Sequence, residues 1–394
     1  MVVMIGVHDL AAAVYEQGPF QLYNMLSWAD LLSHQESAGG VGGLLRMMRA
    51  ERRLRGALAR LPLRGTMNEL GWKGAPWYDD FVDHPDVLDP YWNDFRAAEA
   101  LKRTTVPTLL VGGWSDFFLN QTMEQYETLQ SRDIEVALTV GPWTHLNVDN
   151  KISMPQAIAW LDTHVAGRDV PARDVPVQVF VGGSGGWQKH QSWPPNRTTA
   201  SIWYLRPEGR LDEDAPSDEA ESTSFRYDPA TPTPSVGGRL MAASGGARDN
   251  RDLEARPDVL TFTTDPLASP LEVHGRPSIE LRVSSDNDRG DLFVRVCDVD
   301  AAGHSINVTE QIIRCNDGVP GDVRAVTIEL DPMAHRFDVG HRVRLQVAGG
   351  AFPRFARNLG TGDAPGTATA LRPVVHTIHF TADRPSTLTL PALN

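Results

Sequence analysis

A change of texture near residue 170 constrains this chain more than any other feature. Before it, strands are apolar on consecutive residues and alternate with helical spacing; after it, short strands follow one another between Gly, Pro, Asp and Asn clusters. Thr108–Gly113 and Glu135–Gly141 are runs of the first kind, and between them Met123, Tyr126 and Leu129 fall at helical spacing on Gln121–Gln130. Continuous apolar runs suit parallel strands covered by helices on both faces, so this is βαβ grammar. Met1–Val7 reads as a further short buried strand ended by His8–Asp9, and Met154–Ala166 as an amphipathic closing helix. Past Pro171, the runs Val175–Val181, Thr199–Leu205, Ser278–Ser284, Leu292–Val299, Val323–Leu330 and His341–Val347 predict an all-β sandwich. The Pro- and Asp-rich Glu208–Pro234 reads as a long exposed loop anchored by Phe225–Tyr227.

Between the first strand and the βαβ unit, Phe20 to about Arg60 has helical spacing, and Leu61–Tyr91, rich in Pro, Gly, Trp and Asp, reads as an irregular loop with aromatic anchors. Together they form a helical insertion. The 394 residues carry 37 basic and 50 acidic side chains, a net charge of −13, which argues against a nucleic-acid partner. The densest basic stretch, Arg46–Arg64, follows a helical pattern and reads as a solvated face. No run reaches the roughly 18 consecutive apolar residues of a membrane span, so no membrane partner is expected. Met1–Val7 has no basic residue before it and does not read as a signal peptide. Two cysteines, Cys297 and Cys315, make no disulfide framework, and a reducing cytoplasm is the expected compartment.

In parallel α/β sheets functional residues gather in loops at the carboxyl ends of strands. Two such loops stand out, Gly112-Gly113-Trp114-Ser115-Asp116-Phe117-Phe118 and Gly141-Pro142-Trp143-Thr144-His145. Neighbouring strands lie about 5 Å apart, so Asp116 and His145 can meet. An Asp that accepts an imidazole N–H and holds the His as general base is two thirds of a nucleophilic hydrolase site. Spacing alone leaves a bland assignment equally open, with Asp116 capping the next helix and His145 a satisfied loop histidine. His376-Thr377-Ile378-His379 lacks the context of zinc ligation, and Asp286–Asp291 has Gly290 where a calcium ligand belongs, so no metal or cofactor is expected.

These loops, together with Trp160–Gly167, Pro176–Trp187, Phe225–Gly238 with its Tyr227-Asp228-Pro229, Gly340–Val347 and Phe352–Asn358, resemble the CocE/NonD serine hydrolases. That group includes cocaine esterases, X-Pro dipeptidyl-peptidases, α-amino acid ester hydrolases and glutaryl acylases. The resemblance covers essentially the whole chain. It implies an α/β-plus-all-β architecture, with a partial α/β-hydrolase sheet in residues 1–15 and 96–170, a helical cap inserted at 16–95, and a C-terminal jelly-roll β-sandwich at 171–394. It also implies that Asp116 is the triad acid and His145 the base, that Phe118 lines the acyl pocket, and that Trp114 and Trp143 flank the site.

The family's nucleophile sits on a Gly-x-Ser-x-Gly elbow upstream of both residues, and Met1–Val7 resembles the strand that follows it. The elbow is therefore expected to be missing. One pattern match, Gly182-Gly183-Ser184-Gly185-Gly186, is rejected because no helix follows it and the order would be Asp–His–Ser. The expected function is the C-terminal portion of a serine hydrolase for small esters, amides or peptides, inactive as this isolated chain. The alternative is a non-catalytic binding or assembly protein built on the sandwich, with Trp187, Trp193 and Trp203 as candidate stacking residues.

Overall fold

The computed structural model describes residues 1–34, 50–72, 74–169, 173–216 and 221–393. It opens with β1 (Val2–Met4) and α1 (Leu10–Val14), followed by the helices α2 (Leu22–His34), α3 (Ala50–Leu58), α4 (Thr66–Glu69), α5 (Trp77–Asp83) and α6 (Ala98–Arg103). The sheet resumes as β2 (Thr108–Ser115), α7 (Leu119–Gln130), β3 (Val136–Thr144), α8 (Asn150–His164), β4 (Val177–Gly183) and β5 (Gly186–His190). Pairing is parallel along β1–β2–β3–β4, and β5 closes as an antiparallel hairpin.

Two cores explain the continuous apolar run of β2. Leu110 joins Met123, Tyr126 and Leu129 of α7 on one face, whereas Leu109 and Val111 join Trp143 and Trp160 on the other. Successive side chains of a strand point to opposite faces, so both must be apolar when a helix lies on each side.

The boundary expected at 171 is not where the pairing changes. β4 continues the parallel sheet, with Leu138 opposite Val177 and Val140 opposite Val179, and only its end meets the following domain, Gly182 opposite His335. Val177, Val179 and Val181 are buried on the α7 core while Gln178 faces Gln156 and Arg173. That half-polar alternation is why β4 reads as a sandwich strand. Leu61–Tyr91, expected to be irregular, contains α4 and α5 and is pinned by the buried rings of Tyr78 and Phe81, with Trp92 just beyond. Residues 35–49, within the expected helical stretch from Phe20 to about Arg60, lie outside the described residues, and with them the start of Arg46–Arg64.

The remaining strands are β6 (Thr198–Arg206), β7 (Arg210–Asp212), β8 (Glu221–Tyr227), β9 (Val259–Thr263), β10 (Leu271–Gly275), β11 (Ser278–Ser285), β12 (Gly290–Val299), β13 (Ser305–Cys315), β14 (Arg324–Glu329), β15 (Met333–Phe337), β16 (Arg342–Ala348), β17 (Val374–Phe380) and β18 (Thr387–Leu393). One antiparallel layer runs β9–β16–β12–β13. The other runs from β14 through β11 to β17–β8 at one end and β18–β6 at the other. Ile279, Leu281 and Val283 of β11 meet Leu292, Val294 and Val296 of β12 and Leu345 of β16 between them. The expected Glu208–Pro234 loop contains β7 and β8, because Phe225 and Tyr227 alternate inward opposite β17. Cys297 and Cys315 are free, buried thiols. Among the described residues no helix is long and apolar enough to cross a membrane.

Two solution properties follow. His376 of β17 is 1% exposed; its Nδ1 lies 2.7 Å from Ser285 Oγ, and burial lowers the imidazole from 6.5 to about 4. The folded state then resists a proton that the unfolded chain takes up, so stability is full above 6.5 and falls as the pH drops toward 4. Urea unfolding should lose about 2 kcal/mol from this group between about pH 7 and 5, and His376→Asn should flatten the slope; an unchanged slope contradicts the assignment. On α8 the exposed Met154, Ile158 and Leu161, continued by Val165 just past its end, form an apolar stripe beside the buried Ala157 and Trp160, and β1 pairs on one side only among the described strands. Such surfaces promote association. Light scattering should show concentration-dependent oligomers that Ile158→Glu with Val165→Lys reduces, and a monomer at every concentration contradicts this.

Candidate active site

β2 and β3 end side by side, with Gly113 opposite Gly141 and, after a register shift, Ser115 opposite Thr144. The glycines are needed for the approach. A Cβ on Gly113 would collide with the Trp143 carbonyl, and one on Gly141 with the Trp143 ring. Just past these strand ends the loops carry Asp116 and His145.

Asp116 is 1% exposed, and its Oδ1 accepts the Phe118 N–H at 2.6 Å, an Asx turn that starts α7. The same oxygen lies 3.4 Å from His145 Nδ1. Capping the chain and facing the histidine are thus one arrangement, not alternatives. The separation is long for a hydrogen bond. His145 is held by its neighbours, since Asn147 Oδ1 accepts from the Thr144 backbone N–H at 2.6 Å and hydroxyl at 2.9 Å. Its ring packs against Phe117 at 4.7 Å and Phe118 at 5.4 Å between centroids. Among the described residues nothing hydrogen-bonds His145 Nε2, and Asp116 Oδ2 is buried with no hydrogen-bond partner.

Of the other expected residues, Phe118 is brought to His145. The two tryptophans are not. Trp114 Nε1 donates to the Phe180 carbonyl at 2.6 Å and its ring meets Trp193, while Trp143 is buried beside Trp160 and Trp187. Both pack the loops from beneath, where large rings fill the space the glycines leave. Trp203 lies in the sandwich core, so the three candidate stacking tryptophans share no surface. Ser184 sits on the β4–β5 hairpin turn and its hydroxyl donates to Asp338 at 2.6 Å. No helix follows, so it has none of an elbow's geometry. Burial pushes the Cys297 thiol up to about 12 and the Cys315 thiol up to about 11, which leaves neither as a thiolate. No metal-binding cluster occurs among the described residues.

A charged cluster behind the Asp116 turn has no sequence signature. Arg239 Nη2 donates to Glu16 at 2.6 Å, its Nε lies 2.7 Å from Asp331, and its Nη1 donates to the Phe117 carbonyl at 3.3 Å. Burial disfavours the charge on Glu16, but the Arg239 guanidinium outweighs it and holds this carboxyl below its ordinary range. Asp331, sharing the same guanidinium, is pushed up to about 6 by burial, with the Glu16 charge adding to the rise. The family motif Phe225–Gly238 stops one residue short of Arg239, and an Arg after two glycines gives no local sign of burial.

The pair has a direct readout. With an ionised carboxylate at Nδ1, neutral His145 keeps its proton there, while an amide in its place disturbs that preference. In ¹⁵N-histidine spectra recorded where the ring is neutral, assigned with His145→Gln, the chain should show the Nδ1–H tautomer and Asp116→Asn the Nε2–H tautomer. Identical patterns contradict the pairing.

Residues 168–389 match the X-Pro dipeptidyl-peptidase C-terminal non-catalytic domain, and residues 1–147 match the X-Pro dipeptidyl-peptidase (S15) family. The cocaine esterase of Rhodococcus sp. (strain MB1 Bresler) is 29% identical over 374 residues, covering 85% of this chain and 64% of that protein. An α-amino acid ester hydrolase structure superposes with a TM-score of 0.81 at 21% identity, over 99% of this chain and 72% of that one. A CocE/NonD family hydrolase from Staphylococcus aureus gives a TM-score of 0.70 at 15% identity, over 100% of this chain and 67% of that one. The chain thus spans about two thirds of these relatives, and it belongs to the X-Pro dipeptidyl-peptidase family of CocE/NonD-type hydrolases.

Proposed function

We propose that Asp116 and His145 are the acid and base of a serine-hydrolase site that cleaves small esters or amides, X-Pro dipeptide amides included, through an acyl-enzyme. The observation that carries this reading is the buried Asp116 carboxylate 3.4 Å from Nδ1 of a histidine whose Nε2 has no partner among the described residues. In the reaction, Nε2 takes the serine hydroxyl proton as the oxygen bonds to the substrate carbonyl carbon. The imidazolium, faced by Asp116, then gives that proton to the leaving alcohol or amine as its bond to carbon breaks. Water repeats the sequence to release the acid. Phe118, beside the imidazole, is suited to line the acyl pocket, and no cofactor is required.

The nucleophile and the oxyanion donors belong, in this proposal, to polypeptide other than the described residues. Supporting it, no Ser, Thr or Cys among them hydrogen-bonds His145, Ser184 is engaged by Asp338, and both thiols are buried. A base without a nucleophile has nothing to activate. On the reading that the nucleophile lies outside residues 1–394, the chain should hydrolyse p-nitrophenyl esters and X-Pro-p-nitroanilides no faster than buffer. A version of the protein that includes the nucleophile-bearing segment should turn over, and Asp116→Asn or His145→Gln should each lower its kcat by about 10⁴-fold. Turnover by the chain alone that Ser184→Ala abolishes overturns the proposal.

A further inference from the structure

Resting on the Asp116–His145 reading, we propose that Arg239, carried by the domain that matches a non-catalytic module, is a positioning residue for that pair: it clamps the turn bearing Asp116 so that the carboxylate faces His145. Gly237 and Gly238, with φ of 65° and 79°, make the turn that aims Arg239 inward. A side chain on Gly238 would strike Glu310, so the turn has no room for another residue there. The guanidinium is 2% exposed and reaches the carbonyl of Phe117, the residue next to Asp116. Asn24 locks the backbone behind it, its Nδ2 donating to the Arg239 carbonyl at 3.2 Å and its Oδ1 accepting the Met241 N–H at 3.0 Å.

The same anions also hold the start of the helix that follows the turn. Asn120, in the first turn of α7, donates to Glu16 at 2.5 Å and to Asp331 at 2.8 Å, and accepts from Arg276 at 2.8 Å. Gln311 also reaches Asp331, at 3.2 Å. Asp116 is therefore followed by two anchors, Phe117 and Asn120, both tied to one cluster built from the α1–α2 loop and the β-rich domain. Its own Oδ2 has no hydrogen-bond partner, so the direction of the carboxylate depends on where this backbone is held. Buried ion pairs are a poor source of stability compared with apolar packing; what this cluster supplies is a fixed position. The attraction between the Arg239 and Asp116 charges acts in the same sense.

The test uses the full chain labelled with ¹⁵N-histidine. Arg239→Met should move the His145 tautomer at least half as far toward Nε2–H as Asp116→Asn does, with cooperative melting retained, and Arg239→Lys should recover part of the loss. Should Arg239→Met not fold, Glu16→Gln with Arg239→Met removes the pair together and should give the same shift. A folded variant with the parental tautomer overturns the assignment. So does failure of both variants to fold, since Arg239 is then a determinant of folding and not of position. Because the readout needs no turnover, the two ideas separate: if Asp116→Asn itself leaves His145 unchanged, the underlying pair is wrong, whatever Arg239 does.

Discussion

Everything at this site depends on two parallel strands ending at the same level with glycine on both. Hydrogen-bonded strands stand about 4.8 Å apart, and the Gly113–Gly141 register lets the Trp143 backbone cross between their ends without a Cβ in the way. The first residues free to leave the sheet are then those of the two loops, so an Asp and a His 29 positions apart in sequence become neighbours. Trp143 and Trp160 below and the α7 core behind fill the volume, which makes the loop bases rigid. Placement by close-packed interiors of this kind leaves little freedom for the side chains above.

The second constraint is electrostatic and crosses the domain boundary. Glu16, Asp331 and Arg239 are buried together, and beyond them Glu310 pairs with Arg295 and Arg354. Removing one member would leave an uncompensated buried charge, at a cost of about 3–5 kcal/mol. The turn that bears Asp116 and the β-rich domain are thereby tied together. The outer face of β12, which carries Arg295, is as buried as its inner face. A sandwich strand with solvent on one side would alternate; β12 does not, because Asn250 and the Ala351–Phe355 segment lie over its outer face, covering Arg295 and Phe293.

Much of this was legible in the sequence where the signal is local. Consecutive apolar residues in β2 and β3 report burial on both faces, and the loops after them carry the Asp and His where a parallel sheet exposes such residues. The alternation of Val177 to Val181 misled for a physical reason: an outer strand of the parallel sheet with one half-polar face has the pattern of a sandwich strand. Trp114 and Trp143 lie in the right loops, yet which way a large ring turns is decided by volumes such as those beside Phe180 and Trp160, not by its neighbours in sequence. Arg239, Glu16 and Asp331 are far apart along the chain and exposed by type, so only the packed structure reveals that they share one buried charge balance.

The central claim is that His145 serves a serine held in polypeptide outside the described residues. The most direct measurement is covalent trapping of the protein as its own cells make it, with a fluorophosphonate ester, followed by peptide mapping of the phosphonylated residue. The account predicts one modified serine, outside the described residues, with modification lost in His145→Gln. Modification of Ser184, or no modification of any serine, would contradict it.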